Sequence, residues 1–314
     1  MSRLSFLSGP GAWKYAPALI ALAVALWVGH PALALVVGAA VSLALQPEWP
    51  AYINRAGQLC LKAAIVCLGF TLNVQVLWQT SRDYSWLVLV FVACTLIAGL
   101  VIGRLMRVDE DQSRLLSTGT AICGGTAIVT LAPIIRARPA SVAICIGIVF
   151  ILNAIAILVL PGIGHHMQMT QDQFGVWVAL AIHDTSSVVG AAAIFGDRAL
   201  EVATTVKLVR TLLLIPVALL AGVLLRQSEA RLRIPGFLLL FVAASLAGSL
   251  LQPPVEIVAQ TKAVSHFLLI VALYCIGMEI RRATIASLNG RAIWLSVTLW
   301  LILLPVTLFA ALTL

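Results

Sequence analysis

One polar stretch interrupts a chain that is otherwise almost continuously apolar. Residues 117–130 read STGTAICGGTAIVT, with three glycines and five Ser or Thr hydroxyls in fourteen residues. Irregular backbone at membrane depth survives only where protein or a water-filled cavity surrounds its polar groups. The stretch therefore predicts a broken transmembrane helix that lines a site, the device with which secondary transporters bind substrate near the midplane.

A second polar stretch, ALAIHDTSSVVGAAA at residues 179–193, has the same character. Two helix breaks of this kind favour an anion, because the N-terminus of a half-helix carries free N–H groups and a positive dipole end. Glycines allow close approach of the backbone, and hydroxyls supply further donors. Close packing of helices through small residues is the alternative. The predicted substrate-binding residues are Gly124, Gly125, Thr126, Thr185, Ser186, Lys207, Arg210 and Asn73.

Four ionisable side chains lie deep within apolar segments, where such groups are rare and usually functional. They are His183, Asp184, Lys207 and Arg210. The two cations are three residues apart and share a helix face. We expect Asp184 to pair with one of them, either as part of the site or only to tie two helices together. His183 and Asp184 are assigned to coupling or ion pairing. Asn73 either lines the same cavity or caps a helix.

The composition indicates an integral membrane protein. Hydrophobic residues make up 61% of the 314 residues, charged residues 10%, and the mean hydropathy is +1.07. No cleaved signal peptide is expected at the start of the chain. The six cysteines lie in apolar segments without CxxC spacing, so they predict neither a disulfide nor a metal site. No zinc, nucleophile-elbow or nucleotide-binding motif occurs, so we expect neither an enzyme nor a bound cofactor.

The fold predicted is all-α, one polytopic membrane domain over residues 1–314. Its features are about eleven transmembrane helices, inverted repeats and broken crossing helices. The first two segments are short, and we favour two helices that meet at His30-Pro31 over one kinked helix. The predicted spans are 13–29, 32–45, 59–78, 84–105, 113–135, 140–164, 174–195, 199–225, 235–251, 261–280 and 292–314.

The distribution of Lys and Arg predicts the orientation. With a cytoplasmic N-terminus, thirteen cations lie inside, while Arg82, Arg136, Arg138, Arg198 and Lys262 lie outside. This arrangement satisfies the positive-inside rule and predicts a multi-pass membrane protein with a cytoplasmic N-terminus. The net charge of +8 is largely explained by orientation, so no nucleic-acid partner is expected.

Two internal similarities predict repeats. A shift of sixty residues places residues 121–126 over 181–186 and Arg138 over Arg198. A second similarity links CLGFTL at 67–72 with CIGMEI at 275–280. The first pairing conflicts with an inverted repeat, because the predicted fifth and seventh spans cross the membrane in the same direction. The second pairing has opposite directions.

At these motifs the chain resembles the YeiH family of bacterial inner-membrane proteins, a family associated with sulfate export. The similar blocks lie at 68–73, 117–137, 183–193, 207–216 and 276–295. The family is similar in architecture to bile-acid and arsenite carriers. That resemblance implies a domain of crossed, broken helices that moves against a panel domain. Met278-Glu279 departs from the family pattern, and Glu279 receives no binding role.

Two functions follow from these residues. The first is a secondary transporter of a small anion by alternating access at the broken helices. The family resemblance implies that the anion is sulfate or a related sulfur oxyanion and that it is exported. The alternative is a proton- or cation-coupled carrier of a neutral or cationic solute, with Asp184 as the ion site. The expected partners are the anion, a coupling proton or sodium ion and the lipid bilayer, and a homodimer is compatible with the sequence.

Overall fold

A computed structural model describes residues 16–45, 51–224, 236–278 and 290–313 of the chain. These residues form fourteen α-helices and contain no strand. The helices are α1 Ala16–Val28, α2 Pro31–Leu45, α3 Ala51–Thr71, α4 Val74–Leu105, α5 Glu110–Ala121, α6 Gly125–Ile134, α7 Pro139–His166, α8 Gln171–Ala181, α9 Thr185–Phe195, α10 Asp197–Leu212, α11 Leu214–Leu224, α12 Gly236–Leu251, α13 Val255–Met278 and α14 Arg291–Leu312.

Five segments of the described chain are long and apolar enough to cross a bilayer. They are Leu77–Leu105, Pro139–His166, Asp197–Val223, Val255–Met278 and Arg291–Leu312. Shorter apolar helices accompany them. The prediction of an all-α polytopic membrane protein is confirmed. The first two helices are separate, as expected, and the turn between them contains Gly29 at φ +69°.

The predicted fifth span is a helical hairpin rather than a crossing helix. We call α5 and α6 together hairpin 1. Its two ends meet, because the N–H of Arg138 donates to Oδ2 of Asp111 at 3.1 Å. The Arg138 guanidinium also forms ion pairs with Asp109 and Asp111. Each helix is only ten or twelve residues long, about 15–18 Å. The chain therefore enters the membrane, turns and leaves on the face from which it came.

The predicted seventh span is a second hairpin of the same design, formed by α8 and α9 and called hairpin 2. The N–H of Arg198 donates to Oε1 of Gln171 at 2.9 Å, and its guanidinium pairs with Asp172. Phe174, near the start of α8, stacks on Phe195 at the end of α9, with ring centroids 3.8 Å apart. A capping box from Thr170 starts α8.

The two hairpins are related by the shift of sixty residues predicted from the sequence. That shift carries the Asp111–Arg138 contact onto the Gln171–Arg198 contact. Between them α7 crosses the membrane, so hairpin 1 enters from one face and hairpin 2 from the other. We call these face A and face B. The directional conflict disappears, because neither polar stretch crosses. The repeat is inverted.

The expected positions of two arginines were wrong for the same reason. Arg136 and Arg138 were predicted on the face opposite Arg107 and Arg291. Hairpin 1 returns them to face A, where Nη1 of Arg291 also donates to the carbonyl of Arg107 at 3.1 Å. Arg198 lies on face B with the start of hairpin 2.

The apolar core has two parts. One joins α4–α11 and α14, and we call it the hairpin body. The other joins α1, α2, α3, α12 and α13, and we call it the panel. In the panel α3 and α13 are antiparallel: a β-carbon on Gly57 would lie 2.4 Å from Cβ of Cys275, and Oγ of Ser265 donates to the carbonyl of Ala64. These helices carry the second sequence similarity, so the panel is also built from an inverted pair.

Candidate functional site

The tips of the two hairpins touch inside the protein. Hairpin 1 turns at residues 122–124 and hairpin 2 at residues 182–184. A β-carbon on Gly124 would lie 3.3 Å from the backbone N of Asp184 and 3.3 Å from the carbonyl carbon of His183. Gly124 also has φ +58° and ψ −122°, a conformation that residues with a side chain rarely adopt. Position 124 therefore requires glycine, both because of its backbone conformation and because a side chain would crowd the tip of hairpin 2.

A cavity of about 380 Å³ reaches these tips. The hairpins contribute a polar wall, and the panel and α7 contribute a wall that is mostly apolar. The lining residues are Gln58, Leu61, Lys62, Ile65, Gly125, Thr126, Val129, Thr130, Ile146, Phe150, Asp184, Thr185, Ser186, Phe237 and Ile276. The α6 residues run from the tip toward face A, and Ile146 and Phe150 lie in the half of α7 nearest that face. The cavity thus lies on the face-A side of the tips.

The start of α6 is an uncapped helix N-terminus on the cavity wall. Its N-cap is Gly124, which has no side chain to accept a hydrogen bond from the first turn. A β-carbon on Gly125 would meet no atom within 4 Å, so Gly125 faces open space. The first N–H groups of a helix have no partner within the helix, and the dipole is positive there. This arrangement suits an anion or a carbonyl oxygen.

The start of α9 differs because Asp184 caps it. Oδ2 of Asp184 accepts a hydrogen bond from the N–H of Ser186 at 3.2 Å and another from the Ser186 hydroxyl. An Asp at the N-cap satisfies a free N–H group and places negative charge at the positive end of the dipole. The two tips therefore offer different electrostatics to the same cavity: free donors on α6 and a carboxylate on α9.

Arg210 binds backbone carbonyls at the C-terminal ends of α5 and α8, the two helices that lead into the tips. Its guanidinium is fully buried and donates to the carbonyls of Ala121 and Thr120 on hairpin 1. On hairpin 2 it donates to the carbonyls of Ala179 and Leu180 at 2.8 and 2.9 Å, and to Ile182 at 3.2 Å. The last carbonyls of a helix lack partners and form the negative end of its dipole. One arginine thus satisfies the ends of two half-helices.

Lys207 performs the same task for hairpin 2 alone. Its buried Nζ donates to the carbonyl oxygens of Ile182 at 2.8 Å and His183 at 2.7 Å. The expected ion pair between Asp184 and Lys207 or Arg210 was wrong: none of the salt bridges between described residues includes Asp184. Backbone carbonyls at the helix breaks take the place of the predicted carboxylate.

His183 is buried and bound to an amide on the neighbouring helix α7. Its N–H donates to Oδ1 of Asn153 at 3.1 Å, and its Nδ1 lies 3.2 Å from the same oxygen. Within the described part of the chain, Nε2 of His183 and Nδ2 of Asn153 have no hydrogen-bond partner. His183 thus attaches the tip of hairpin 2 to α7 on the side away from the cavity, and it does not line the cavity.

Asn73 takes the second of its two predicted roles. It is the N-cap of α4, and its Oδ1 accepts the N–H of Gln75 at 2.8 Å. It is not among the residues that line the cavity. The structure thus brings Gly125, Thr126, Thr185 and Ser186 to the cavity, with Asp184. It places Lys207 and Arg210 behind the tips and Asn73 at the turn between α3 and α4.

Several residues at this site were not singled out from the sequence. Gln58 and Lys62 lie one helical turn apart on α3 and line the cavity opposite the hairpins. From the sequence, Lys62 is only one of the thirteen cations predicted on the cytoplasmic side. Asn153 is an isolated amide in the apolar run ILNAIAIL in the middle of α7, and this isolation was a signal available in the sequence. Nε1 of Trp300 donates to the carbonyl of Ala181 at 2.9 Å, a contact that no spacing predicts.

A sequence profile of the family described as "Conserved hypothetical protein 698" matches residues 15–296. The chain belongs to this family. It is 38% identical over 292 residues to a UPF0324 membrane protein of Geobacter sulfurreducens, covering 93% of this chain and 94% of the relative. UPF0324 membrane proteins of Bacteroides thetaiotaomicron and Vibrio vulnificus are 36% and 37% identical, covering 88% and 92% of this chain and 84% and 95% of theirs. The YeiH resemblance denotes the same family. No solved structure matches the chain.

Proposed function

We propose that the chain is a secondary transporter of a small anion, which binds at the hairpin tips and passes by alternating access. The observation that carries this proposal is the uncapped N-terminus of α6 on the wall of a cavity deep in a membrane protein. The first-turn N–H groups of Gly125 and Thr126, which no side chain of the N-cap binds, and the hydroxyls of Thr126 and Thr185 form a set of donors at the start of α6 and α9. Such a set binds an anion.

The charges around the tips support an anion as well. Lys207 and Arg210 lie behind the tips, Lys62 lies on the opposite wall, and Asp184 is the one carboxylate among the described residues that line the cavity. The two buried cations bind carbonyls and therefore do not contact the substrate directly. They act on it through the low-dielectric interior, where charge interactions are much stronger than in water.

The substrate and direction rest on the resemblance to proteins associated with sulfate export. Sulfate or another sulfur oxyanion is the proposed substrate, and the proposed direction is outward across the bacterial inner membrane. Face A is then cytoplasmic, because Arg104, Arg107, Arg136, Arg138 and Arg291 lie at that end of their helices and cytoplasmic loops are rich in such residues. The cavity would be open to the cytoplasm. The proposed role is that of a carrier rather than of an enzyme, and its proposed partners are the substrate, the lipid bilayer and a coupling ion, with a homodimer also compatible.

A second candidate function is favoured by the position of Asp184. Its carboxylate lines the cavity and forms no ion pair with a described cation, so it is free to bind a proton or a sodium ion. A carrier of a neutral or cationic solute, coupled to that ion, would use the same tips. In the anion transporter the same carboxylate would serve as the coupling site.

Transport by purified protein in proteoliposomes tests the proposal. Uptake of labelled sulfate, sulfite and small carboxylates would be measured with and without a pH gradient. We expect saturable flux of one of these anions, and Thr126→Val should raise KM about ten-fold, as loss of a hydrogen bond to a charged group predicts. Lys262→Gln, an exposed site at the face-B end of α13, is the matched control and should leave KM unchanged. Flux of a cationic or neutral solute alone would favour the second candidate instead.

A further inference from the structure

Two equivalent contacts between the hairpin body and the panel are in opposite states. The first is the gap between Val129 and Thr130 of α6 and Ile65 of α3; all three line the cavity, and we call this gap the open seam. The second lies between Val189 and Gly190 of α9 and Leu273 of α13, and we call it the closed seam. A β-carbon on Gly190 would lie only 2.7 Å from Cδ2 of Leu273.

Two independent sequence repeats relate these seams. The sixty-residue shift between the hairpins carries Val129 onto Val189 and Thr130 onto Gly190. The separate shift of 208 residues between α3 and α13 carries Ile65 onto Leu273. The hairpin repeat and the panel repeat have different shifts, so neither depends on the other. Both alignments nevertheless map the open seam onto the closed seam.

The seams differ in how far their hairpin residues are buried. Val129 is 57% exposed, whereas its equivalent Val189 is 2% exposed and packs in the panel's core cluster. The two panel residues do not differ in this way, because Ile65 is 1% exposed and Leu273 is fully buried. The open seam faces the cavity on the face-A side of the tips. The closed seam seals the same tips on the side of face B, from which hairpin 2 enters.

We propose that the closed seam is a second access route to the hairpin tips, from face B, and that it opens when α6 closes against α3. This inference rests on the proposed function for the identity of the solute that passes, but not for the movement itself. Packed interfaces have discrete arrangements rather than continuous ones, so an exchange between two equivalent contacts is a natural pair of states.

One residue difference sets which seam closes. Gly190 lets α9 approach Leu273 closely, whereas the equivalent Thr130 brings a branched side chain and a hydroxyl to the open seam. Closing the open seam would remove the Thr130 hydroxyl from water, which is unfavourable unless the hydroxyl finds a partner. The state with face A open is therefore favoured. Exchanging the two residues should reverse that preference.

The experiment places reporter cysteines in the two seams. Val129→Cys and Val189→Cys would be labelled with a membrane-impermeant maleimide added to face A or face B of oriented vesicles, and the unsubstituted chain with its six native cysteines serves as the blank. We expect Val129→Cys to react from face A and Val189→Cys to react slowly from face B. In the Thr130→Gly, Gly190→Thr background the ratio of the two rates should shift at least ten-fold toward Val189→Cys.

Controls keep the result interpretable. Gly162→Thr adds the same side chain at an exposed glycine of α7, where a β-carbon would meet no atom within 4 Å, and should change neither rate. If the exchanged protein does not fold, Gly190→Ala alone should raise labelling of Val189→Cys by a smaller factor. Labelling of Val189→Cys that is unaffected by either change would overturn the proposal. The labelling needs no solute, so its result can be interpreted even if the protein does not transport anions.

Discussion

Hairpins 1 and 2 have the same covalent plan but different tips. Each has two half-length helices, an arginine that closes its base and a tip whose carbonyls are bound by a cation of α10. At the start of the returning helix, however, hairpin 1 has Gly124 and hairpin 2 has Asp184. One tip leaves its N–H groups available to a ligand, and the other supplies its own negative charge. The two hairpins share a scaffold, and their different N-cap residues give the two tips different electrostatics.

The largest effect is expected where the two hairpins share a ligand. Arg210 contacts both tips, whereas Lys207 contacts hairpin 2 alone. Arg210→Gln leaves several carbonyls unpaired, at about 1–3 kcal/mol each, so little folded protein should accumulate. Arg210→Lys should be nearly as damaging, because a single ammonium cannot reach both hairpins as the planar guanidinium does. Lys207→Met should cost less than Arg210→Gln. Purification yield and thermal unfolding in detergent measure these effects. A wild-type melting temperature for Arg210→Lys would show that charge alone suffices.

The two glycines at the tip of hairpin 1 separate stability from binding. Gly124→Ala should destabilise the fold by roughly 1–3 kcal/mol, because its φ of +58° strains a residue with a side chain. Gly125→Ala adds a methyl group in open space and should leave the melting temperature within a degree or two. It should still reduce anion flux, because the methyl group occupies the place proposed for the ligand. The proposed site would be contradicted if Gly125→Ala transported anions normally.

Asp184 distinguishes the tip of hairpin 2 and can be removed without loss of its capping role. Asn is as good an N-cap as Asp, so Asp184→Asn should fold with near wild-type stability. Asp184→Ala should lose about 1 kcal/mol with the cap. If the carboxylate carries the coupling proton, Asp184→Asn should flatten the pH dependence of transport. Full activity with an unchanged pH profile would remove Asp184 from the mechanism.

The smallest effect is expected at the base of hairpin 1. Burial raises the pKa of Asp109, but hydrogen bonds from Arg138 and from the N–H of Gln112 outweigh it, so the pKa is lower in the folded chain than in the unfolded one. The contribution of Asp109 is therefore complete above about pH 4, its unfolded pKa, and fades as the pH falls through the lower folded value.

Thermal unfolding between pH 3 and pH 6 measures this contribution. At pH 6 the Asp109→Asn variant should melt at a slightly lower temperature than the wild type. This difference in melting temperature should become smaller toward pH 3. The pair is exposed to solvent, so the effect is small and is screened by salt. Equal melting temperatures of variant and wild type at both pH values would show that capping, which Asn also provides, is the whole role of Asp109.

The sequence revealed the helix breaks but not where the chain goes after them. Glycines and hydroxyls at 117–130 and 183–189 are conspicuous in an apolar chain, and both breaks are present. Re-entry was missed because each stretch of about twenty residues matches a span by length. The opposite charges of Asp111 and Arg138, at the two ends of one segment, were the available evidence that those ends meet.

The error at Asp184 has a different cause. A sequence displays the charged groups of side chains but not the partial charges of helix ends, which exist only once the helices break at particular carbonyls. Lys207 and Arg210 were correctly recognised as unusual, and a carboxylate was their only visible partner. The contacts of Arg210 with Thr120 and Ala179 depend on two tips meeting, which no local pattern specifies.

The long sequence separation of the Arg210 contacts has a consequence for biosynthesis. Thr120 and Arg210 are 90 residues apart, so at 5–20 residues per second about 5–18 s pass between the synthesis of the tip and of its ligand. During that interval the carbonyls at the end of α5 have no guanidinium, and hydrocarbon offers them none. We therefore expect hairpin 1 to remain outside the bilayer core, or in contact with water, at first. It should insert to its final depth only after α10 has emerged from the ribosome.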